Sequence, residues 1–216
     1  MTDCTIRICS LRAADGGARL VMNIEISTPT GTEKQVLSPL VSRLKALPVV
    51  GFITEETLSF YRDEDLFADA LTRAYRYLSG AGCSLAAMQR KLRAAGVAGE
   101  QAKQVVEHLI ATSMLDERKS ALREAEKSVA KLWGDRRILA ALRAKGYGAQ
   151  ALAAVTSYLR AQDGAARCAR LIEMRRMVLP ADEPSAARFA AALVRYGYTG
   201  REIKAAMRLL RSEQMP

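Results

Sequence analysis

The amino-acid sequence predicts a mainly α-helical protein, in which tandem three-helix repeats form an elongated curved array after a small N-terminal segment that contains a β-hairpin. Three stretches of the chain, residues 88–109, 138–159 and 189–210, align without a gap at offsets of 50 and then 51 residues. A period near 50 residues is typical of helical units that bury only part of their apolar surface alone and stack on their neighbours. Such an array presents a long surface, which favours binding over catalysis at one centre.

The aligned stretches share a pattern that predicts where a helix ends. In each, a large apolar residue, a leucine and a glycine follow one another at four-residue intervals: Met88, Leu92 and Gly96; Ile138, Leu142 and Gly146; Phe189, Leu193 and Gly197. Glycine directly after a helix adopts the left-handed conformation that other residues reach only at a cost. We therefore expect the second helix of each repeat to end at its glycine, with a sharp turn into the third helix.

The chain begins with a predicted β-hairpin. Residues 5–11 and 18–27 alternate apolar and polar side chains, as strands with one buried face do. Between them, Asp15-Gly16-Gly17 tolerates the positive φ angles of a tight turn. The two stretches are therefore expected to pair as neighbouring strands.

Weaker patterns follow the hairpin. Residues 35–47 are predicted to form a strand and then a helix, before a break at Pro48. Thr54 is predicted to be the N-cap of a short helix with Glu55 and Glu56 in its first turn, where carboxylates stabilise the positive end of the helix dipole. These elements lead into the repeats.

The predicted domain boundaries follow the period. The first helices of the three repeats are expected at residues 65–78, 117–132 and 164–177. We therefore divide the chain into an N-terminal β-hairpin and short-helix segment followed by three helical repeats, which span residues 1–64, 65–114, 115–160 and 161–216.

The second and third helices of the repeats have their own signals. Side-chain oxygens of Ser84, Asp135 and Ser185 are predicted to cap the second helices, which begin after these residues. The third helices carry apolar residues at the i, i+3, i+4, i+7 spacing of a buried face. These predicted core stripes are Ala102, Val105, Val106 and Leu109; Leu152, Val155, Thr156 and Leu159; and Ile203, Ala206, Met207 and Leu210.

The charge is strongly positive and unevenly distributed. The chain of 216 residues has a formal net charge of +10, yet residues 1–66 carry 7 basic against 9 acidic side chains. Residues 67–216 therefore hold 26 basic and 14 acidic side chains. Such a field attracts polyanions, which include nucleic acid, an acidic protein groove and an anionic membrane surface.

Several function classes have no support in the sequence. The four cysteines are scattered without a C-x-x-C pair, and His108 has no partner at metal-ligand spacing, so we expect reduced thiols and no metal. No phosphate-binding glycine loop, dinucleotide fingerprint or nucleophile elbow is found. We therefore predict a protein that is not an enzyme, has no catalytic residues and needs no cofactor. The absence of a signal-peptide core and of a bilayer-spanning run predicts a cytoplasmic protein.

Three short motifs give a family resemblance. Residues 84–92, SLAAMQRKL, resemble the S-x-x-E-L-x-x-K-L of the RecX family, with Ala87 in place of the glutamate. Residues 133–146, which begin WGDRRI and end at a glycine, are similar to the family's Y-G-x-x-R-I-x-x-x-L-x-x-K-G. Residues 115–117, LDE, are similar to the L-D-D that joins the first two repeats of the family. The resemblance covers about residues 65–211.

The RecX family consists of bacterial regulators of the RecA recombinase that are built from tandem three-helix repeats. The resemblance therefore implies a protein that lies in the groove of the RecA nucleoprotein filament and bridges neighbouring protomers. It would limit filament extension, ATP turnover and strand exchange, and so affect DNA recombination, DNA repair and the SOS response. Inhibition is the expected direction. A monomer is the default expectation for the oligomeric state of the chain.

Basic residues of the second helices lie opposite the apolar stripe and are the predicted partner-binding residues. They are Arg90, Lys91, Arg93, Arg136, Arg137, Arg143 and Lys145, and the third copy adds Arg188 and Arg195. Given the resemblance, they would meet acidic faces and phosphates of the RecA–DNA filament through charge-assisted hydrogen bonds. The alternative is that they form only a solvated helix face.

A second function class remains open, because a helix, a glycine turn and a helix also describe a helix-turn-helix DNA-binding unit. The exposed positions expected for the third helices include Gln101, Lys103, Gln104 and Glu107 in the first copy but Ala151, Ala153 and Ala154 in the second. Alanines offer nothing to read base edges, which disfavours sequence-specific binding. Weak, sequence-independent nucleic-acid binding without RecA is the alternative function. No helix is suited to lie on a membrane.

Aromatic residues near the turns are predicted to pack rather than to bind. Trp133, the only tryptophan, is expected to fill the joint between repeats, with stacking on a base or on a partner as the alternative. Tyr147 and Tyr198, which follow the repeat glycines, are expected to make hydrophobic contacts at the helix caps.

Overall fold

The structure, a computed structural model, describes residues 4–79 and 82–213. It confirms the predicted fold class, because the chain is mainly α-helical and its helices follow an N-terminal antiparallel β-sheet. The chain divides into two compact units. Of the described residues, the first contains 4–79 and 92–107, and the second contains 82–91 and 108–213.

The predicted hairpin is confirmed and forms the centre of a four-stranded sheet. Its strands are β1 (Thr5–Ala14), β2 (Arg19–Thr28), β3 (Gly31–Leu37) and β4 (Gly51–Ile53), in the order β3-β2-β1-β4. Ile6 lies opposite Ile26 and Ile8 opposite Ile24, so apolar residues share one face of the sheet. The turn works as expected, because Asp15, Gly16 and Gly17 all have positive φ angles.

The prediction of a helix within residues 35–47 is wrong. β3 is a full strand, and the only helical residues between it and β4 are a 3-10 turn at Val41–Arg43. Backbone groups around this turn form hydrogen bonds with residues at the start of β2. The N–H of Val41 donates to Ala18 O at 3.0 Å, and Pro39 O accepts the N–H of Leu20 at 3.1 Å. These bonds hold the segment against the start of β2, and they take the carbonyl of Pro39 and the N–H of Val41 out of any helical ladder.

The first helix is longer than the sequence suggests. Thr54 caps it as predicted, since its hydroxyl oxygen accepts the N–H of Thr57 at 3.2 Å. The short helix and the first repeat helix are, however, one helix, α1 (Glu55–Leu78). The buried Glu64 in the middle of α1 is stabilised by an ion pair with Arg43. The guanidinium of this arginine also lies 3.8 Å from the centre of the Phe67 ring.

The core of the first unit lies between the sheet and α1. Ile8, Met22 and Ile24 on the sheet belong to one buried cluster with Leu58 and Tyr61 on the helix. One face of each strand is thus removed from water, which is why the alternation of apolar and polar residues predicted these strands.

Eight further helices carry the repeats within the described residues. They are α2 (Leu85–Ala94), α3 (Gly99–Ala111), α4 (Glu117–Ala130), α5 (Asp135–Ala144), α6 (Ala149–Arg160), α7 (Gly164–Met174), α8 (Glu183–Arg195) and α9 (Gly200–Glu213). The predicted stripes of α3, α6 and α9 are buried or half-buried. One expected exposed position is wrong, because Ala151 is buried and continues the row of Val155 and Leu159.

The repeat glycines end the second helices as predicted. The φ angles of Gly96, Gly146 and Gly197 are 84°, 82° and 97°. In each turn the N–H of the residue after the glycine donates to the carbonyl of the repeat leucine, at 3.0 Å for Leu92, 3.2 Å for Leu142 and 3.3 Å for Leu193. This is the Schellman arrangement, and it explains why leucine and glycine recur four residues apart.

Two of the three predicted caps of the second helices are wrong. Ser84 caps α2 as predicted, since its Oγ accepts the N–H of Ala87 at 3.1 Å. The N-cap of α8 is Asp182 rather than Ser185, and the two residues exchange hydrogen bonds in a capping box. The proline between them fits this first turn because a helix start needs no N–H there. Asp135 is the first residue of α5 and not its cap.

Three other helices end without glycine, at residues in the left-handed conformation. Ser113, Leu132 and Arg176 have φ angles of 56°, 58° and 49° and follow α3, α4 and α7. Consequently α4 and α7 end at Ala130 and Met174, earlier than predicted. Each of these residues bears a backbone cost of about 1 kcal/mol that glycine would avoid.

We expect Ser113→Gly to stabilise the protein by about 0.5–1 kcal/mol. The substitution removes the left-handed penalty and truncates only an exposed side chain, while glycine gives back part of the gain as extra freedom of the unfolded chain. Urea unfolding measures the change. Ser157→Gly, at an exposed position within α6, is the control and should destabilise. Loss of stability in both variants would contradict strain at Ser113.

Candidate interaction surface

The second helices α2, α5 and α8 carry the predicted binding residues, and within the second unit they meet end to end at two junctions. At the first junction the end of α5 lies against the start of α2. Ser84 Oγ, which caps α2, also donates to Lys145 O at 2.7 Å. Glu117 accepts the N–H groups of Leu85 at 2.9 Å and Gly148 at 3.3 Å. The negative end of one helix dipole thus meets the positive end of another.

The second junction joins the end of α8 to the start of α5 directly through the backbone. The N–H of Gly134 donates to Tyr196 O at 2.8 Å, and the N–H of Arg136 donates to Gly197 O at 3.2 Å. These two carbonyls accept N–H groups at the start of α5, which the side chain of Asp135 was predicted to accept. This explains why the predicted cap is wrong. A Cβ on Gly197 would lie 2.5 Å from the backbone nitrogen of Arg137, so only glycine permits this approach.

A buried tyrosine supports each junction. The hydroxyl of Tyr147 lies 3.1 Å from Ser120 Oγ, and that of Tyr198 donates to Leu132 O at 2.8 Å. Burial raises the pKa of both phenols, that of Tyr198 to about 12. Both residues are buried against the repeat cores, in keeping with the packing role predicted for them.

An ion pair between a buried arginine and a half-buried aspartate distinguishes the second junction from the first. Arg167 on α7 is only 7% exposed and pairs with Asp135 at the first turn of α5. Burial raises the pKa of Asp135 despite the arginine, and it raises the pKa of the neighbouring Cys168 to about 12. The sequence analysis did not single out Arg167, because one arginine in an apolar helix gives no periodic signal.

Two of the predicted binding residues belong to the first junction. Arg90 Nη2 donates to Lys145 O at 3.3 Å, so the structure brings these two residues together. The ammonium of Lys145 pairs with Glu124, and this hydrogen bond lowers the pKa of the glutamate. Both cations therefore hold the end of α5 in place.

Arg137 belongs to the second junction. Its guanidinium lies 4.0 Å from the centre of the Trp133 ring and 5.6 Å from that of the Tyr196 ring. Trp133 itself packs against the core of the second repeat, as predicted for a residue at a joint. The arginine thus links the aromatic residues of two repeats through cation–π contacts.

The remaining predicted residues are exposed. Arg136 and Arg143 lie two turns apart on the same face of α5, and among the described residues neither has an acidic partner. Lys91 is exposed on α2. Arg93 is also exposed but lies in the first unit. The predicted residues of the third copy, Arg188 and Arg195 on α8, are exposed in the same way and have no acidic partner among the described residues, so α5 and α8 each offer two available positive charges in the second unit.

The described residues contain no group of three histidine, cysteine or acidic side chains that could hold a metal ion. His108 lies half-buried on α3. In the same part of the chain, no helix has both the length and the apolar character needed to cross a membrane.

Comparison with known proteins identifies the architecture. No family model matches the sequence, and no curated protein matches it. The crystal structure of a regulatory protein RecX superposes with a TM-score of 0.71 at 17% identity and covers 94% of this chain and 99% of that one. The chain has the RecX fold. The structure of RecX from Lactobacillus salivarius gives a TM-score of 0.60 at 17% identity and covers 68% of this chain and 97% of that one.

The RecX resemblance found in the sequence is thus confirmed for the fold. The motifs that suggested it lie at the two junctions, since residues 84–92 contain the cap and arginine that bind the end of α5. Residues 133–146 contain the glycine that approaches α8. Motif residues that look like binding residues therefore also build the RecX fold.

A basic stripe on α9 was not among the predicted sites. It consists of Arg201, Lys204, Arg208 and Arg211, all of them exposed. Their spacing of three, four and three residues places them on one side of the helix. A comparison of the exposed positions of all three third helices would have found the stripe in the sequence.

We expect Gly197→Ala to lower the free energy of unfolding by about 3 kcal/mol or more, because the methyl group adds a backbone collision to the left-handed penalty. Gly96→Ala is the matched control. Gly96 has a similar φ angle, but a Cβ there meets nothing within 4 Å, so its loss should be about 1–2 kcal/mol. Urea unfolding compares the two, and equal losses would contradict a tight second junction.

We expect Asp135→Asn to destabilise the protein by about 2–3 kcal/mol, because it leaves the buried charge of Arg167 without a counter-ion. Combining it with Arg167→Met removes that charge and should restore part of the loss. Thermal unfolding at neutral pH measures both. If the double variant were as unstable as the sum of the two single variants, the pair would not be coupled.

Proposed function

We propose that the protein regulates a RecA-type recombinase by binding its nucleoprotein filament and restraining ATP hydrolysis and filament extension. The observation that carries the proposal is the RecX fold, which covers 94% of the chain. The motifs that resemble the RecX family support it, because they lie in the helices that join the repeats. Effects on strand exchange, recombinational repair and the SOS response would follow from the restrained filament.

The repeated construction suits a partner that is itself repetitive. Three units at a period of 50 and 51 residues can each contact a successive protomer of a filament. Because several weak contacts then form together, binding gains strength without any single strong site. A protein that acts in this way needs no catalytic residue.

The surface proposed to meet the filament centres on α5. Arg136 and Arg143 are exposed there and can form charge-assisted hydrogen bonds with carboxylates or phosphates. Arg90, Arg137 and Lys145 are proposed to position this helix rather than to contribute free charge, since each is already engaged at a junction. Lys91 and Arg93 stay in the proposed set as exposed cations on α2.

The test is DNA-dependent ATP hydrolysis by RecA with increasing amounts of the full chain. Suppression is expected at substoichiometric protein, because a groove-bound regulator acts on many protomers at once. We expect Arg136→Glu with Arg143→Glu to raise the half-inhibitory concentration at least tenfold, since charge reversal replaces attraction by repulsion. Circular dichroism checks that the variant is folded.

The matched control is Arg118→Glu with Arg123→Glu, which makes the same change of charge at exposed positions of α4. This control should inhibit as the unchanged protein does. No inhibition by the unchanged protein at equimolar amounts would reject the proposed function. If the α5 variant inhibited RecA as well as the control variant and the unchanged protein do, α5 would not be part of the contact.

A further inference from the structure

The basic stripe of α9, formed by Arg201, Lys204, Arg208 and Arg211, carries charge that neither the fold nor the proposed filament contact uses. All four side chains are exposed on a helix whose opposite face is buried. At a rise of 1.5 Å per residue, the stripe extends for about 15 Å along the helix. It forms a straight row of positive charge on the surface of the second unit.

The other two repeats provide an internal comparison. The positions that match the stripe are exposed in all three third helices. They are Glu100, Lys103, Glu107 and Ile110 in α3; Gln150, Ala153, Ser157 and Arg160 in α6; and Arg201, Lys204, Arg208 and Arg211 in α9. The formal charge of the set rises from −1 through +1 to +4. Since the same helix forms with three different surfaces, the repeat does not require the cations of α9.

The charge of the stripe is not neutralised within the described part of the chain. No ion pair there involves any of the four side chains, and Arg208 only approaches the carbonyl of Lys204 on its own helix, at 3.4 Å. The acidic residue in the first turn of α9 is Glu202. Its carboxylate accepts hydrogen bonds from the N–H and the hydroxyl of Thr199, both at 2.7 Å. The stripe is thus open to an external anion.

We propose that the α9 stripe binds the phosphate backbone of duplex DNA without reading its sequence. The phosphates of B-form DNA form a dense row of negative charge, about one per 3.4 Å of helix axis on each strand, and long cationic side chains spread over about 15 Å can reach several of them. Arginine, which supplies three of the four cations, matches phosphate oxygens with its planar fork of donors. The stripe contains no asparagine or glutamine to recognise adenine, and cations that contact phosphates position a protein on DNA without carrying sequence information.

Other polyanions fit the stripe less well. Single-stranded DNA is bound largely by stacking on aromatic side chains, and the stripe has none. A membrane-surface helix inserts its apolar face into lipid, but that face of α9 is occupied, because Ile203, Ala206 and Leu210 lie in the core of the third repeat. Duplex DNA needs neither feature.

This contact requires no recombinase, so it can be tested apart from the proposed function. The probe is a fluorescein-labelled 30-base-pair duplex, titrated with the full chain by fluorescence anisotropy at two salt concentrations. In the stripe variant, Arg201→Gln, Lys204→Ala and Arg208→Ser place the residues of α6 on α9. We expect at least a tenfold loss of affinity, and a slope of log K against log salt that is smaller by about 3.

The control variant removes the same charge from α4, with Arg118→Gln, Lys119→Ala and Arg123→Ser at exposed positions. It should keep the affinity of the unchanged protein for the duplex. Circular dichroism and urea unfolding confirm that both variants fold. A stripe variant with unchanged affinity, an equal loss in the control, or no duplex binding by the unchanged protein would each overturn the proposal.

Three further arms identify the anion. Single-stranded DNA of the same length, poly-glutamate and vesicles with anionic lipid should each bind more weakly than the duplex, and a tighter interaction with any of them would overturn the duplex assignment. RecA ATPase inhibition by the stripe variant separates the two proposals. Loss of duplex binding with inhibition intact supports the stripe as a distinct site, whereas inhibition lost together with duplex affinity would make it part of the filament contact.

Discussion

The repeats are held together by the meeting of helix ends. Every helix leaves unpaired N–H groups at its start and carbonyl groups at its end, and burying either without a partner is costly. At both junctions, the end of a later second helix supplies carbonyls to the start of an earlier one. The leucine and glycine spacing, the buried tyrosines and the glycine at residue 134 all serve this arrangement, because each allows the backbones to approach.

Local patterns in the sequence predicted the elements that depend on local physics. The hairpin turn, the glycine-ended helices and the buried stripes of α3, α6 and α9 each follow from the conformational preferences of adjacent residues or from helical periodicity. Two of the failures have a common cause, which is a partner distant in the chain. The start of α5 is capped by carbonyls about 60 residues away, and the segment before β4 is held by β2.

The candidate surface was predictable in part for the same reason. Helical periodicity showed correctly that the basic residues of α2 and α5 lie away from the core. It could not show that Arg90 contacts the carbonyl of Lys145, or that Arg137 lies against the rings of Trp133 and Tyr196. Conversely, the stripe of α9 stands out only when equivalent positions of three helices are compared, because four cations on one helix are common on protein surfaces.

At both junctions the end of one second helix meets the start of another, but the residues that join them differ. This difference fixes the order of the repeats. One is closed by a serine that donates a hydrogen bond and a glutamate that accepts two, the other by a buried arginine, its aspartate partner and a pair of glycines. A repeat placed at the wrong position in the chain would bury an unpaired charge or collide with a side chain of its neighbour. Unlike repeat proteins with interchangeable modules, this chain is therefore expected to resist the shuffling and duplication of its repeats.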